Sequence, residues 1–245
     1  MKAGKMPSEL RTFIHRSWLF FGVLAALIIL AVNALPGSEL ILFQEDGVIE
    51  SATAIAGAVA AIIGFYAIQQ TAAKNRAALD RLAVWTIPTL STICTLDEIS
   101  WGARLFHLQM PPMQGGGEFD GLHDIFVILQ RFLADAEPST WLAVSVAAAL
   151  LFAMLVYWQQ AFVTTCLKYS VNTTLGRPLA SAILLLAFAT LLDFGHGRIM
   201  SSLEEYAELS ATLFLLAGSY YSLKMAHAAA PAKQAWARRD MLKKS

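Results

Sequence analysis

The 245-residue chain is 57% hydrophobic and 15% charged, with a mean hydropathy of +0.55. An ordinary soluble domain carries about 25% charged residues, so this composition excludes one and indicates a polytopic membrane protein. Basic and acidic residues balance at 18 each, and no nucleic-acid partner is expected.

Apolar runs of about 20 residues predict an all-α membrane helix bundle with six spans, near 18–36, 48–70, 82–106, 139–162, 178–196 and 205–224. Residues 1–17 form a cytoplasmic N-terminal segment, 18–224 one transmembrane domain, and 225–245 a basic cytoplasmic tail held near anionic lipid. Lys2, Lys5, Arg11 and Arg16 ahead of the first apolar run resemble a signal peptide, but the run is read as a retained anchor. In "EDGVIE", Glu45, Asp46 and Glu50 open the second span, where a helix N-terminus favours acids. Ala54, Gly57, Ala58, Ala61 and Gly64 then form a ridge suited to close helix packing.

The third span contains Pro88, expected as a kink, and ends in "TLDEISWGARLF". Counted from Leu82, Asp97 lies about 22 Å into a hydrocarbon core about 30 Å thick. Asp97, Trp101 and Arg104 follow at i, i+4 and i+7 and so share one stripe pointing at the outer mouth, and Arg104 is placed to pair with Asp97 or Glu98. Segment 119–135 alternates Asp120, Asp124, Arg131 and Asp135 with Leu122, Phe126, Leu129 and Leu133, and reads as an interfacial helix at the outer surface. It carries His123 and Asp124 to that surface. Trp18, Trp141, Tyr157 and Trp158 are expected interface anchors.

Asp193 lies about 21 Å along the fifth span, and Gly195 and Gly197 predict a helix break beside His196. Glu204 and Glu208 form a stripe on the sixth span, with Glu208 about 24 Å from Lys224. Ser202 and Glu205 have the spacing of a capping box at its start. Cys94 and Cys166 lie at different depths, so no disulfide is expected.

With the N-terminus in the cytoplasm, every Lys and Arg except Arg104, Arg131 and Arg198 falls on the inner side, which fixes the orientation. All the acids except Glu9, Asp80 and Asp240 fall in the outer half. The positive-inside rule does not require that asymmetry. An ionised carboxylate at such depth costs about 2.5–3.5 kcal/mol on insertion scales, so these acids must face one another, a cation or water.

Three functions follow. In the first, His123, His196, Asp193, Glu204 and Glu208 hold zinc or another divalent cation, and Asp97, Glu98 and Arg104 complete a catalytic site. Glu98 is the general base and a lipid-like amide or ester the substrate; Glu45, Asp46, Glu50, Trp101 and Asp124 line the pocket. In the second, the acidic mouth binds a structural cation or docks a membrane protein partner without catalysis. In the third, the acids form a cation or proton path, although the inner half offers no matching charges.

"EDGVIE", "DEISWGARLF" and "QGGGEFDGLHD" together resemble a family of uncharacterised bacterial polytopic inner-membrane proteins. In that family an acidic-Asp-Gly motif precedes an acidic-Glu-Ile-Ser-Trp-Gly-Gln-Arg motif and an Asn-Leu-His-Asn segment. The resemblance spans about the middle third of the chain and implies a multi-pass protein of the bacterial inner membrane. The sequence departs from it at Ala103, where Gln is usual, and at Gly121 and Asp124, where Asn is usual. In layout alone the chain is similar to alkaline ceramidase-type membrane hydrolases, but His196 lacks the second histidine four residues away that marks that family.

Overall fold

A computed structural model describes residues 8–34, 47–70, 77–106, 109, 111–113, 125, 128, 138–193 and 197–244. Within these, the side chains of 8–15, 29, 32–34, 104, 105, 138, 141, 198 and 229–244 lie outside the description. The described chain is helical: α1 Ser8–Ala34, α2 Val48–Gln70, α3 Ala78–Glu98, a 3₁₀ turn Ser100–Gly102, α4 Ala103–Phe106, α5 Pro138–Trp158, α6 Gln160–Asn172, α7 Gly176–Asp193 and α8 Arg198–Lys244. It divides into two compact units, Met1–Thr95 with Ser170–Ser245, and Leu96–Tyr169.

Among the described residues two helices, α2 and α7, are long and apolar enough to cross a membrane, and the pair α5–α6 makes a third if counted as one span. That is fewer than the six spans of the sequence reading. The expected fourth span, 139–162, is not one straight rod: α5 and α6 meet at a bend of 82°. The expected third span stops at Glu98, and the chain beyond it changes hand. Segment 119–135 lies outside the described residues apart from Ile125 and Ile128.

In the first unit, α8 is the central element and packs along α2, α7 and α1. Small residues set its register against α2. A Cβ built on Gly57 would lie 3.5 Å from Thr212 Cγ2, and one on Gly64 would lie 3.0 Å from Ser219 Oγ. Seven residues along one helix match seven along the other, so α2 and α8 run parallel. Gly57 also faces Ser91 and Thr95, and Gly64 faces Pro88, so α3 runs antiparallel to α2. The buried face of α2 is Glu50, Thr53, Gly57, Ala60, Ala61, Gly64 and Ala67. The two glycines of the expected ridge sit in the seam as read, whereas Ala54 and Ala58 are only half-buried at its edge.

Aromatic packing joins α1 to α8. Phe21 stacks on Tyr206 at 5.1 Å between ring centroids, and Trp18 lies 5.9 Å from Phe214. Numbers fall along α1 as they rise along α8, so these helices are antiparallel. Trp18 also donates its indole N–H to Ser181 Oγ of α7 at 3.1 Å. Tyr157 and Trp158 at the end of α5 are 81% and 79% exposed.

Helix ends follow their local chemistry. The Thr173 hydroxyl accepts a bond from Gly176 N at 2.9 Å, and Pro178 occupies the first turn of α7, where no N–H is needed. The break signalled by Gly195 and Gly197 occurs: α7 ends at Asp193, Gly197 has φ +132°, and α8 starts at Arg198. The capping box is a misreading. Ser202 lies inside α8, one turn past its start, and is buried. Residues 225–244, read as the basic tail, continue the α8 helix. Neither Cys94 nor Cys166 forms a disulfide.

Candidate functional site

The α2–α8 register builds one acidic end. Glu50 stands seven residues before Gly57, and Glu205 seven before Thr212, so two turns below the glycine Glu50 lies at the level of the Glu204–Glu208 turn. Glu50 is 8% exposed, an unusual burial for a carboxylate, and it occupies the first turn of α2, where the helix dipole favours negative charge. Thr53, one turn further, is buried and donates to Ile49 O at 3.0 Å. On α8, Glu204, Glu205 and Glu208 are half-buried, and Thr212 is fully buried, its hydroxyl donating to Glu208 O at 2.8 Å. Asp193 ends α7 and is half-buried.

The second unit begins with the other acids. Asp97 and Glu98 form the last turn of α3, both half-buried. Carboxylates there oppose the partial negative charge at a helix C-terminus, so helix stability does not explain their presence. The chain then turns left-handed: Ser100 has φ +46°, Trp101 φ +54° and Gly102 φ +92°. Gly102 N donates to Ile99 O at 2.9 Å, and the Ala103 N–H donates to Ser100 O, closing a tight 3₁₀ turn. Ser100 and Gly102 are buried while Trp101 between them is 45% exposed. The i, i+4, i+7 stripe of Asp97, Trp101 and Arg104 therefore does not form, because α-helical spacing ends at Glu98. Nothing in the amino-acid types of this stretch except Gly102 signals a left-handed turn, and Ser and Trp are both unfavourable there.

Of the remaining expected site residues, Glu45, Asp46, His123, Asp124 and His196 lie outside the described residues, as does the Arg104 side chain. Among the described residues no three His, Cys, Asp or Glu side chains converge as a metal cluster. Comparison with known families, with characterised proteins and with solved structures gives no match for the chain.

Proposed function

We propose that the protein is a multi-pass protein of the bacterial inner membrane whose outer carboxylates bind a divalent cation in a non-catalytic binding or assembly role. The observation that carries this reading is the buried Glu50 at the level of the Glu204–Glu208 turn; these carboxylates do not converge as a ligand cluster on their own, so a cation would have to draw them together. Carboxylates drawn to one depth repel, and a cation among them relieves the repulsion and the cost of their burial. Oxygen ligands alone suit calcium or magnesium. The helix directions support an even number of crossings with both termini on the cytoplasmic side: α1 and α3 oppose α2 and α8, as a chain crossing back and forth requires.

A second reading is the metal-dependent hydrolase of a lipid-like substrate expected from the sequence, with Glu98 as general base. The left-handed Ser100–Gly102 turn directly behind Asp97 and Glu98 favours it, because such backbone strain collects at active sites.

Protein purified without chelator separates the two. The cation-binding reading expects stoichiometric calcium or magnesium by elemental analysis, and a site held at 100 times its Kd adds about 2.7 kcal/mol of stability. Chelator, or Glu50→Gln, then lowers the melting temperature in detergent. Stoichiometric zinc lost in His196→Ala and Asp193→Ala replaces this reading with the hydrolase. No bound metal of any kind after supplementation contradicts both.

A further inference from the structure

Two buried side chains of α8, one of them facing α2, have no role in the acidic end. Ser219 and Ser222 are fully buried, and neither hydroxyl has a hydrogen-bond partner among the described residues. Other helical hydroxyls of this bundle satisfy themselves on their own helix. Thr53, Ser91, Thr92, Thr95, Thr190 and Thr212 each donate to the carbonyl four residues back. Ser219 instead aims across the seam, its Oγ 3.0 Å from the point where a Cβ on Gly64 would sit. A buried hydroxyl without a partner is unfavourable in an apolar interior, and water entering the seam would supply one.

These serines extend a stripe. Positions 208, 212, 215, 219 and 222 recur at the 4, 3, 4, 3 spacing of one helix face, and this face meets Gly57 and Gly64 of α2. Glu208 stands at one end, Thr212 follows, and Ser219 and Ser222 occupy the other end. Between Thr212 and Ser219 the seam is closed by Leu215 of α8 and by Ile87 of α3, which packs at Gly218; both side chains are fully buried.

We propose that this seam carries protons across the membrane between the carboxylate end of α2 and α8 and Ser222, through hydroxyls linked by water, with Leu215 and Ile87 as an apolar plug. Each hydroxyl accepts a proton from the water on one side and releases its own to the water on the other, so no residue changes charge after a passage. Hydroxyls can therefore complete a route through the inner half, where the sequence provides no charges. Ser219 and Ser222 are separated by a rise of about 4.5 Å, a span that one water bridges. Thr212 and Ser219 are separated by about 10.5 Å, so the plug must part to admit a short file of water. The proposal rests on the membrane-spanning reading of α2, α3 and α8.

The test uses the full chain in phosphatidylethanolamine–phosphatidylglycerol vesicles with a trapped pH dye and a potassium diffusion potential. Flotation of the protein with the vesicles checks the membrane reading separately; a chain that does not float removes both. In vesicles that carry it, proton entry is expected an order of magnitude above protein-free vesicles. Ser219→Ala/Ser222→Ala is expected to return the rate to that background with an unchanged or raised melting temperature, since it deletes two unpartnered hydroxyls. Leu215→Ala is expected to raise the rate several-fold. Proton entry no faster than background, an unchanged rate in the double variant, or flux that follows sodium or potassium in place of protons overturns the proposal.

Discussion

Gly64→Val is expected to destabilise the first unit by about 3 kcal/mol, at the upper end of the range for overpacking a close-packed interior. A Cβ at Gly64 would lie 2.7 Å from Pro88 Cβ, 3.1 Å from Pro88 Cγ and 3.0 Å from Ser219 Oγ. The proline ring has no rotamer into which to retreat, so α2 and α3 must separate. Even Gly64→Ala is expected to lower the melting temperature in detergent. Gly22→Ala in α1 makes the control, because nothing lies within 4 Å of a Cβ built there. Removing a helical glycine at an open site stabilises by up to about 1 kcal/mol, so this substitution is expected to leave the melting temperature level or raise it. Equal effects of the two alanines would mean that the seam is not packed as described.

Gly102→Ala is expected to cost about 1–3 kcal/mol through the backbone, the usual range for a residue forced into a sparsely populated conformation. Gly102 has φ +92°, and a Cβ there would also meet the Phe106 ring at 3.3 and 3.4 Å. The two contributions separate on a Phe106→Ala background. The ring clash disappears there, whereas the torsional cost persists. Trp101→Asn is expected to be tolerated for folding, because asparagine accepts the left-handed region that Trp101 occupies at φ +54°. A neutral Gly102→Ala would show that the turn after Glu98 is right-handed.

These two sites mark where the sequence was legible and where it was not. The small residues of α2 announce close helix approach because nothing else explains glycines seven apart in an apolar helix, and Gly57 and Gly64 do sit in the seam. The break after Asp193 is readable for a similar reason, since two glycines remove the preference for helical φ. Asp97, Trp101 and Arg104 mislead because periodicity assumes a continuous helix, and tertiary context instead imposes a left-handed Ser-Trp-Gly turn. Ser202 and Glu205 mislead in the same way: the capping pattern is present, but α8 begins earlier, at Arg198. The unpartnered serines could not be found from sequence at all. Ser219 and Ser222 have the same residue type and helical setting as Ser91, and only the direction of the hydroxyl distinguishes them.

The membrane reading places the Glu50 end of α2 outside the cytoplasmic membrane and the far end of α8 inside it. Single cysteines at Gly47 and Ser245, in a background with Cys94 and Cys166 replaced, test that arrangement on intact cells with a membrane-impermeant maleimide. The account predicts labelling at 47 without permeabilisation, and at 245 only after it. Labelling of both positions in intact cells, or of 245 alone, would contradict it.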